Sequence, residues 1–207
     1  MNVKKHGKMV GLLLTAIMAA MLLVGCGNSF DASEYIQALL DNSYKGESES
    51  LVKQKVGTKE ECEKLYNDGL DSQVTVILGS TASEEQKAEF REVMTDIYEG
   101  VKYTVGDSTK KDNSYEVEVK CQRMKIFEPA LETFANNITG EESEEELINA
   151  LIESFKTELG NVTYDEEESV TVRVELVDKT WTPNSEDVLA LQYALFDSES
   201  LATMLNQ

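Results

Sequence analysis

From residue 31 onward, apolar positions recur first at helical and then at alternating spacing, and the period changes at Gly100. Ile36, Leu39 and Leu40 share one face of a helix that Asp31 or Ser33 caps and Gly46 stops. Phe30, just ahead of the cap, is placed to staple it. A polar connection runs over residues 47–57. Thr58-Lys59-Glu60-Glu61 is then a capping box, in which hydroxyl and carboxylate each satisfy an orphan amide. Cys62, Leu65, Tyr66, Leu70, Val74, Ile77 and Leu78 follow at helical spacing up to Gly79, although Gly69 and the β-branched run Val74 to Ile77 lower the propensity. A third helix opens on Ser83 with Gln86 as box partner, buries Phe90, Val93, Met94 and Ile97, and stops at Gly100.

Beyond Gly100 the period is two. Val101, Tyr103 and Val105 form a short strand, Gly106 to Asn113 a polar turn, and Tyr115, Val117, Val119 and Cys121 a second strand, alternating with Glu116, Glu118 and Lys120. This is the pattern of a half-buried antiparallel hairpin. Unbroken parity would bury Arg123, so a bulge near Gln122 is expected to return Met124 and Ile126 to the inside. Pro129 suits the first turn of a helix carrying Leu131, Phe134, Ala135 and Ile138 up to Gly140. Ser143 and Glu146 box the start of another, which presents Leu147, Ile148, Leu151, Ile152, Phe155 and Leu159 and ends at Gly160. Val162 and Tyr164 predict a short strand, Glu166 to Glu168 a turn, and Val170, Val172, Val174 and Leu176 a strand that continues to Trp181 and ends at Pro183. Ser185, Glu186 and Asp187 start a last helix through Val188, Leu191, Leu195 and Phe196, with a tail that frays beyond Asp197.

The same grammar occurs twice. Ser83-Glu84-Glu85 and Ser143-Glu144-Glu145 are each followed by a glycine at the same offset, Gly100 and Gly160, and then by a tyrosine-bearing strand. The repetition suggests two helix-helix-hairpin halves, the alternative being that capping boxes and stop glycines are common enough to coincide. The expected class is α+β, with N-terminal helices packed on one face of a roughly four-stranded antiparallel sheet and a second helical pair inserted between two hairpins.

The N-terminus changes the picture from fold to address. Lys4, Lys5 and Lys8 precede the apolar segment Val10 to Val24, the basic-then-apolar order of a secretory signal. The segment is shorter than the roughly 20 apolar residues that span a bilayer. It ends Leu23-Val24-Gly25-Cys26, which resembles the lipobox of bacterial lipoproteins. That resemblance implies recognition of Leu23, Val24 and Gly25 by the signal peptidase, a diacylglycerol-type lipid on Cys26, and cleavage in front of it. Residues 1–25 are then a removed signal, 26–30 a tether, and 31–207 a single domain on the extracytoplasmic face of the cell membrane. Gly27, Asn28, Ser29 and Phe30 reach roughly 15 Å at about 3.5 Å per extended residue, so the domain hovers at the headgroups with its least acidic face down.

Composition limits the chemistry. Of 19 Lys and Arg three lie in the signal, leaving 16 cations against 39 acids, a formal charge of −23. That excludes a nucleic-acid partner, whose phosphates need clustered cations. The only histidine is His6, within the signal, so the commonest general base and the Ser-His-Asp arrangement are missing from the exported part. Cys62 and Cys121 could pair outside the cytoplasm, but each falls on the apolar side of its element, which favours two buried thiols over a disulfide, and they lack a Cys-x-x-Cys pattern. Glu141 to Glu146 and Asp165 to Glu168 lack the EF-hand spacing, and the helix dipole explains the first run without a metal. A carboxylate hydrolase would need two acids at a fixed separation, and 39 acids nominate no particular pair. No cofactor is expected.

Phe30-Asp31-Ala32-Ser33-Glu34-Tyr35, Tyr44-Lys45-Gly46, Tyr98-Glu99-Gly100-Val101 and Asp178-Lys179-Thr180-Trp181 resemble the small lipoproteins of unknown function of Gram-positive bacteria, with nuclear-transport-factor-2-like or cystatin-like folds. The resemblance implies a fold and an address, without a mechanism. The expected function is binding without catalysis, to an envelope protein or a small ligand. One alternative is a sugar, lipid or peptide held in a cone lined by Tyr103, Tyr115 and Trp181; the second is a carboxylate-based hydrolase.

Overall fold

The computed structural model describes residues 23–24, 30–199 and 201. Leu23–Val24 (β1) is a two-residue strand, followed by helices α1 (Ala32–Lys45), α2 (Glu49–Lys53), α3 (Lys59–Leu78) and α4 (Glu84–Glu99). The hairpin β2 (Lys102–Lys111) and β3 (Ser114–Lys125) comes next, then α5 (Phe127–Asn137), α6 (Glu144–Leu159), β4 (Thr163–Val177), β5 (Thr180–Pro183) and α7 (Ser185–Leu195). The sheet is antiparallel in the order β1-β5-β4-β3-β2. The class is α+β, and helix-helix-hairpin occurs twice in succession, as α3-α4-β2-β3 and α5-α6-β4-β5.

Each helix start follows from its cap. Asp31 accepts from the Glu34 amide and Phe30 meets Tyr35 edge-on at 5.5 Å between ring centroids, a cap with its staple. Thr58, Ser83 and Ser143 all close reciprocal boxes with Glu61, Gln86 and Glu146. Gly46 ends α1 at φ 68°, where a side chain would be strained and would stand 3.1 Å from the Tyr66 ring.

One sheet face is dry and the other wet. Val117, Val119 and Cys121 of β3 and Val172 and Val174 of β4 are buried beneath α1 and α7, whereas Glu118, Lys120 and Thr171 point to solvent. The bulge expected near Gln122 lies between Gln122 and Met124 in the β3–β4 ladder, and Met124 and Ile126 are buried. A second irregularity between Val105 and Ser108 lets β2 run on to Lys111.

Four local expectations are corrected. Residues 49–53 form a helix, because Leu51 finds a buried seat. Gly106 to Lys111 are strand, with only Asp112 and Asn113 left to turn the chain. Glu166 to Glu168 do not turn either. They lie within the 15-residue β4, where Lys120, Arg123 and Lys125 of β3 reach diagonally across to Glu167, Glu168 and Asp165 at 3.9, 3.9 and 3.3 Å. Cross-strand cations compensate what looked, in the sequence, like a repulsive run. The strand then ends at Val177, and Asp178 and Lys179, at φ 49° and 67°, make the tight turn that brings Trp181 back on β5.

The C-terminal segment closes the start of α5. Asp197 is 6% exposed, and its carboxylate accepts from the amides of Ile126, Phe127 and Glu128 at 3.1, 2.9 and 3.0 Å. Ile126 occupies the N-cap of α5 and has no capping side chain. Pro129 has no amide proton, so the distant carboxylate satisfies every orphan donor of that helix start.

Candidate functional site

The cluster nearest the predicted anchor is aromatic. Phe30 stacks on Trp181 with centroids 4.8 Å apart and planes 4° apart, and meets Tyr115 edge-on at 5.5 Å. Tyr115 and Trp181 close the triangle at 5.1 Å. Tyr115 opens β3 and Trp181 lies two strands away on β5. They come together because Val174 and Leu176 of β4 stand opposite Tyr115 and Trp181 in the two ladders. The Tyr35 hydroxyl donates to the Trp181 carbonyl at 3.3 Å, and burial raises its ionisation above the ordinary tyrosine value. The first turn of α1 is thereby fastened to β5.

Tyr103 lies on the same sheet face but toward the other end, opposite Cys121. Its hydroxyl donates to Asp41 at 2.7 Å, and the Lys45 ammonium both pairs with Asp41 at 2.8 Å and lies 4.8 Å from the Tyr103 ring centre. Partial burial alone would raise the Asp41 carboxyl. Hydrogen bonds from Lys45, Gln37 and Tyr103, with the Lys45 charge, outweigh it and hold the group below the usual carboxylate range. Burial, then the Asp41 hydrogen bond, pushes the Tyr103 hydroxyl upward. The structure therefore brings Tyr115 and Trp181 together and keeps Tyr103 apart, and in all three the polar or aromatic surface is engaged by protein groups. Asp41 and Lys45 did not stand out in the sequence; their i,i+4 spacing on α1 was the available signal.

Leu23 and Val24 pair with Trp181 and Thr180 at the outer edge of β5. Gly25 and Cys26 lie outside the described residues. Cys62 and Cys121 are free, buried thiols. Burial, followed by Glu168, pushes Cys121 up to about 11, and burial followed by Glu61 raises Cys62. Both shifts lower the share of thiolate, the nucleophilic form, at neutral pH.

Two grooves flank α4. One, of about 330 Å³, lies against α6 and is lined by Ser83, Glu85, Gln86, Glu89, Glu145, Asn149 and Glu153. Gln86 spans its floor, donating to the Glu145 carbonyl at 3.3 Å and to Asn149 at 2.7 Å, while Lys156 bridges Glu89 and Glu153. The other, of about 420 Å³, lies against α3, where Arg91 reaches Asp71 at 2.7 Å. Both are open, polar and internally paired. Among the described residues no group of three or more His, Cys, Asp or Glu side chains is placed to hold a metal ion, and no helix is long and apolar enough to cross a membrane.

No protein-family model matches the chain, and no curated protein matches its sequence. Among solved structures, the chain is similar to a crystal structure described as a candidate lipoprotein, ycdA, from Bacillus subtilis, with a TM-score of 0.54 and 16% identity. The match covers 81% of this chain and 56% of that one, so this chain spans little more than half of its neighbour's length. The likeness is one of fold.

Proposed function

We propose that this chain is a lipid-anchored extracytoplasmic domain that acts by binding a protein of the cell envelope, without catalysis. The observation that carries the reading is the distance between two signals. Asp31, which caps the first helix, lies five residues after the lipobox cysteine, so α1 begins where a short tether from a lipid would deliver it, and cleavage ahead of Cys26 would remove β1 and leave β5 as the sheet edge. The candidate-lipoprotein neighbour agrees in fold with this reading. The helices ahead of a one-faced antiparallel sheet are in keeping with the cystatin-like resemblance. A protein partner is favoured over a small ligand because Tyr103, Tyr115 and Trp181, the residues a ligand cone would use, are engaged by Asp41, Phe30 and one another.

Metabolic labelling with a fatty-acid analogue tests the anchor. The wild-type chain is expected to take up label and fractionate with membranes. Cys26→Ala is expected to lose the label and accumulate as precursor, and normal membrane retention of that variant would refute the reading. A thermal-shift panel of envelope sugars, lipids and peptides addresses the partner, since a ligand that binds only the folded state raises its stability by about 2.7 kcal/mol at a hundredfold excess over Kd. A reproducible shift would move the function to small-ligand binding.

A further inference from the structure

We propose that the sheet end formed by the two hairpin tips, with Lys110, Lys111, Leu176, Val177 and Lys179, rests on the anionic lipid surface and fixes the domain's orientation. The proposal depends on the lipid anchor at Cys26. Phe30 is seated against Trp181, so four peptide steps from Cys26, about 14 Å when extended, are all the slack available. Trp181 faces Leu176 across the β4–β5 pair, and the tips are joined by the Leu176 amide donating to the Asn113 carbonyl at 3.3 Å. Whatever holds Cys26 in a bilayer holds these tips within reach of its headgroups.

The surface itself fits that neighbour. Among the described residues the large hydrophobic side chains left exposed are Val52, Leu176 and Val177, at 36%, 44% and 51%, and the two most exposed are adjacent at this end. Residues 108–116 and 174–182 carry three lysines against four acids, whereas residues 127–162 of the inserted helical pair carry nine acids against Lys156 alone. Those helices join β3 and β4 at the opposite end of the sheet. An anionic surface repels that end most, and a neighbouring tryptophan and tyrosine are the aromatic types that favour a lipid–water interface.

The full chain, matured in its bacterial membrane and reconstituted into vesicles of phosphatidylcholine and phosphatidylglycerol, would carry an environment-sensitive fluorophore on Val177→Cys, on Lys179→Cys, or on Glu144→Cys at the start of α6. The parent chain measures background from the buried Cys62 and Cys121. Headgroup-spin-labelled lipid is expected to quench the Val177 and Lys179 labels several-fold more than the Glu144 label, with high salt weakening the difference. Equal quenching at all three positions, or none, in a protein that floats with the vesicles would overturn the orientation and leave the anchor standing. Failure of the wild-type chain to float would overturn both.

Discussion

Replacing Asp197 by alanine removes one side chain and strands three amides. The carboxylate is almost fully buried and accepts from Ile126, Phe127 and Glu128 within 3.1 Å. A lost N-cap typically costs about 0.5–2 kcal/mol, and a hydrogen bond to a charged group contributes about 1.5–3 kcal/mol. Three bonds to one group are not additive, and the start of α5 can loosen to admit water, so a loss of about 3–4 kcal/mol is expected for the set. Against a typical total of about 5–15 kcal/mol, that is a large fraction. For a domain of this size the melting temperature falls by roughly 6–16 °C. Urea unfolding followed by far-UV circular dichroism measures it, with Asp197→Asn keeping one acceptor and landing between wild type and alanine. An alanine variant within about 0.5 kcal/mol of wild type would refute the role given to this carboxylate.

Three further outcomes follow from the same contacts. Gly46→Ala must adopt φ 68° with its Cβ 3.1 Å from Tyr66, so chemical denaturation should report a loss of about 1–2 kcal/mol, and an unchanged midpoint would contradict the left-handed cap. Asp187 is partly buried, which raises its carboxyl, but two bonds from the Arg173 guanidinium and one from its amide bring it below the usual range. Because the folded-state value is depressed, this group's stabilisation is present above the unfolded value and is lost as pH falls through the folded one. Asp187→Asn should therefore flatten the acid limb of the stability curve, and an unchanged slope below about pH 4 would count against it. Cys62 and Cys121 should react with a thiol reagent at pH 8 only after denaturant is added; rapid labelling of the native chain would show that they are not sealed.

The parts of the fold legible in sequence were those whose cause is local. Capping boxes at Thr58, Ser83 and Ser143 need only residues three apart, and each marks a helix start in the structure. Alternation in β3 likewise located its buried face and its bulge. The misreadings came where a distant segment supplies the missing interaction. Glu166 to Glu168 resemble a turn until Lys120 and Arg123 reach across to them. Residues 49–53 look polar until Leu51 is given a core to enter. Asp197 carries no local sign of its role, because the helix it caps begins some 70 residues earlier. The site residues divide the same way. Sequence named Tyr103, Tyr115 and Trp181 as inward aromatics, but only the strand order shows that Phe30 fills the space between the last two.

The clasp at Asp197 also sets a schedule. Strands β4 and β5, helix α7 and the carboxylate that completes α5 all come from the last part of the chain made. At roughly 5–20 residues per second, the hydrophobic face of β3 waits several seconds for the β4 residues that pair with it. A chain exported as proposed above would have to remain threadable over that interval. A fold that locks only once Asp197 is present stays threadable until then, so the contact that holds the finished domain together would also keep the unfinished one fit for the export proposed above.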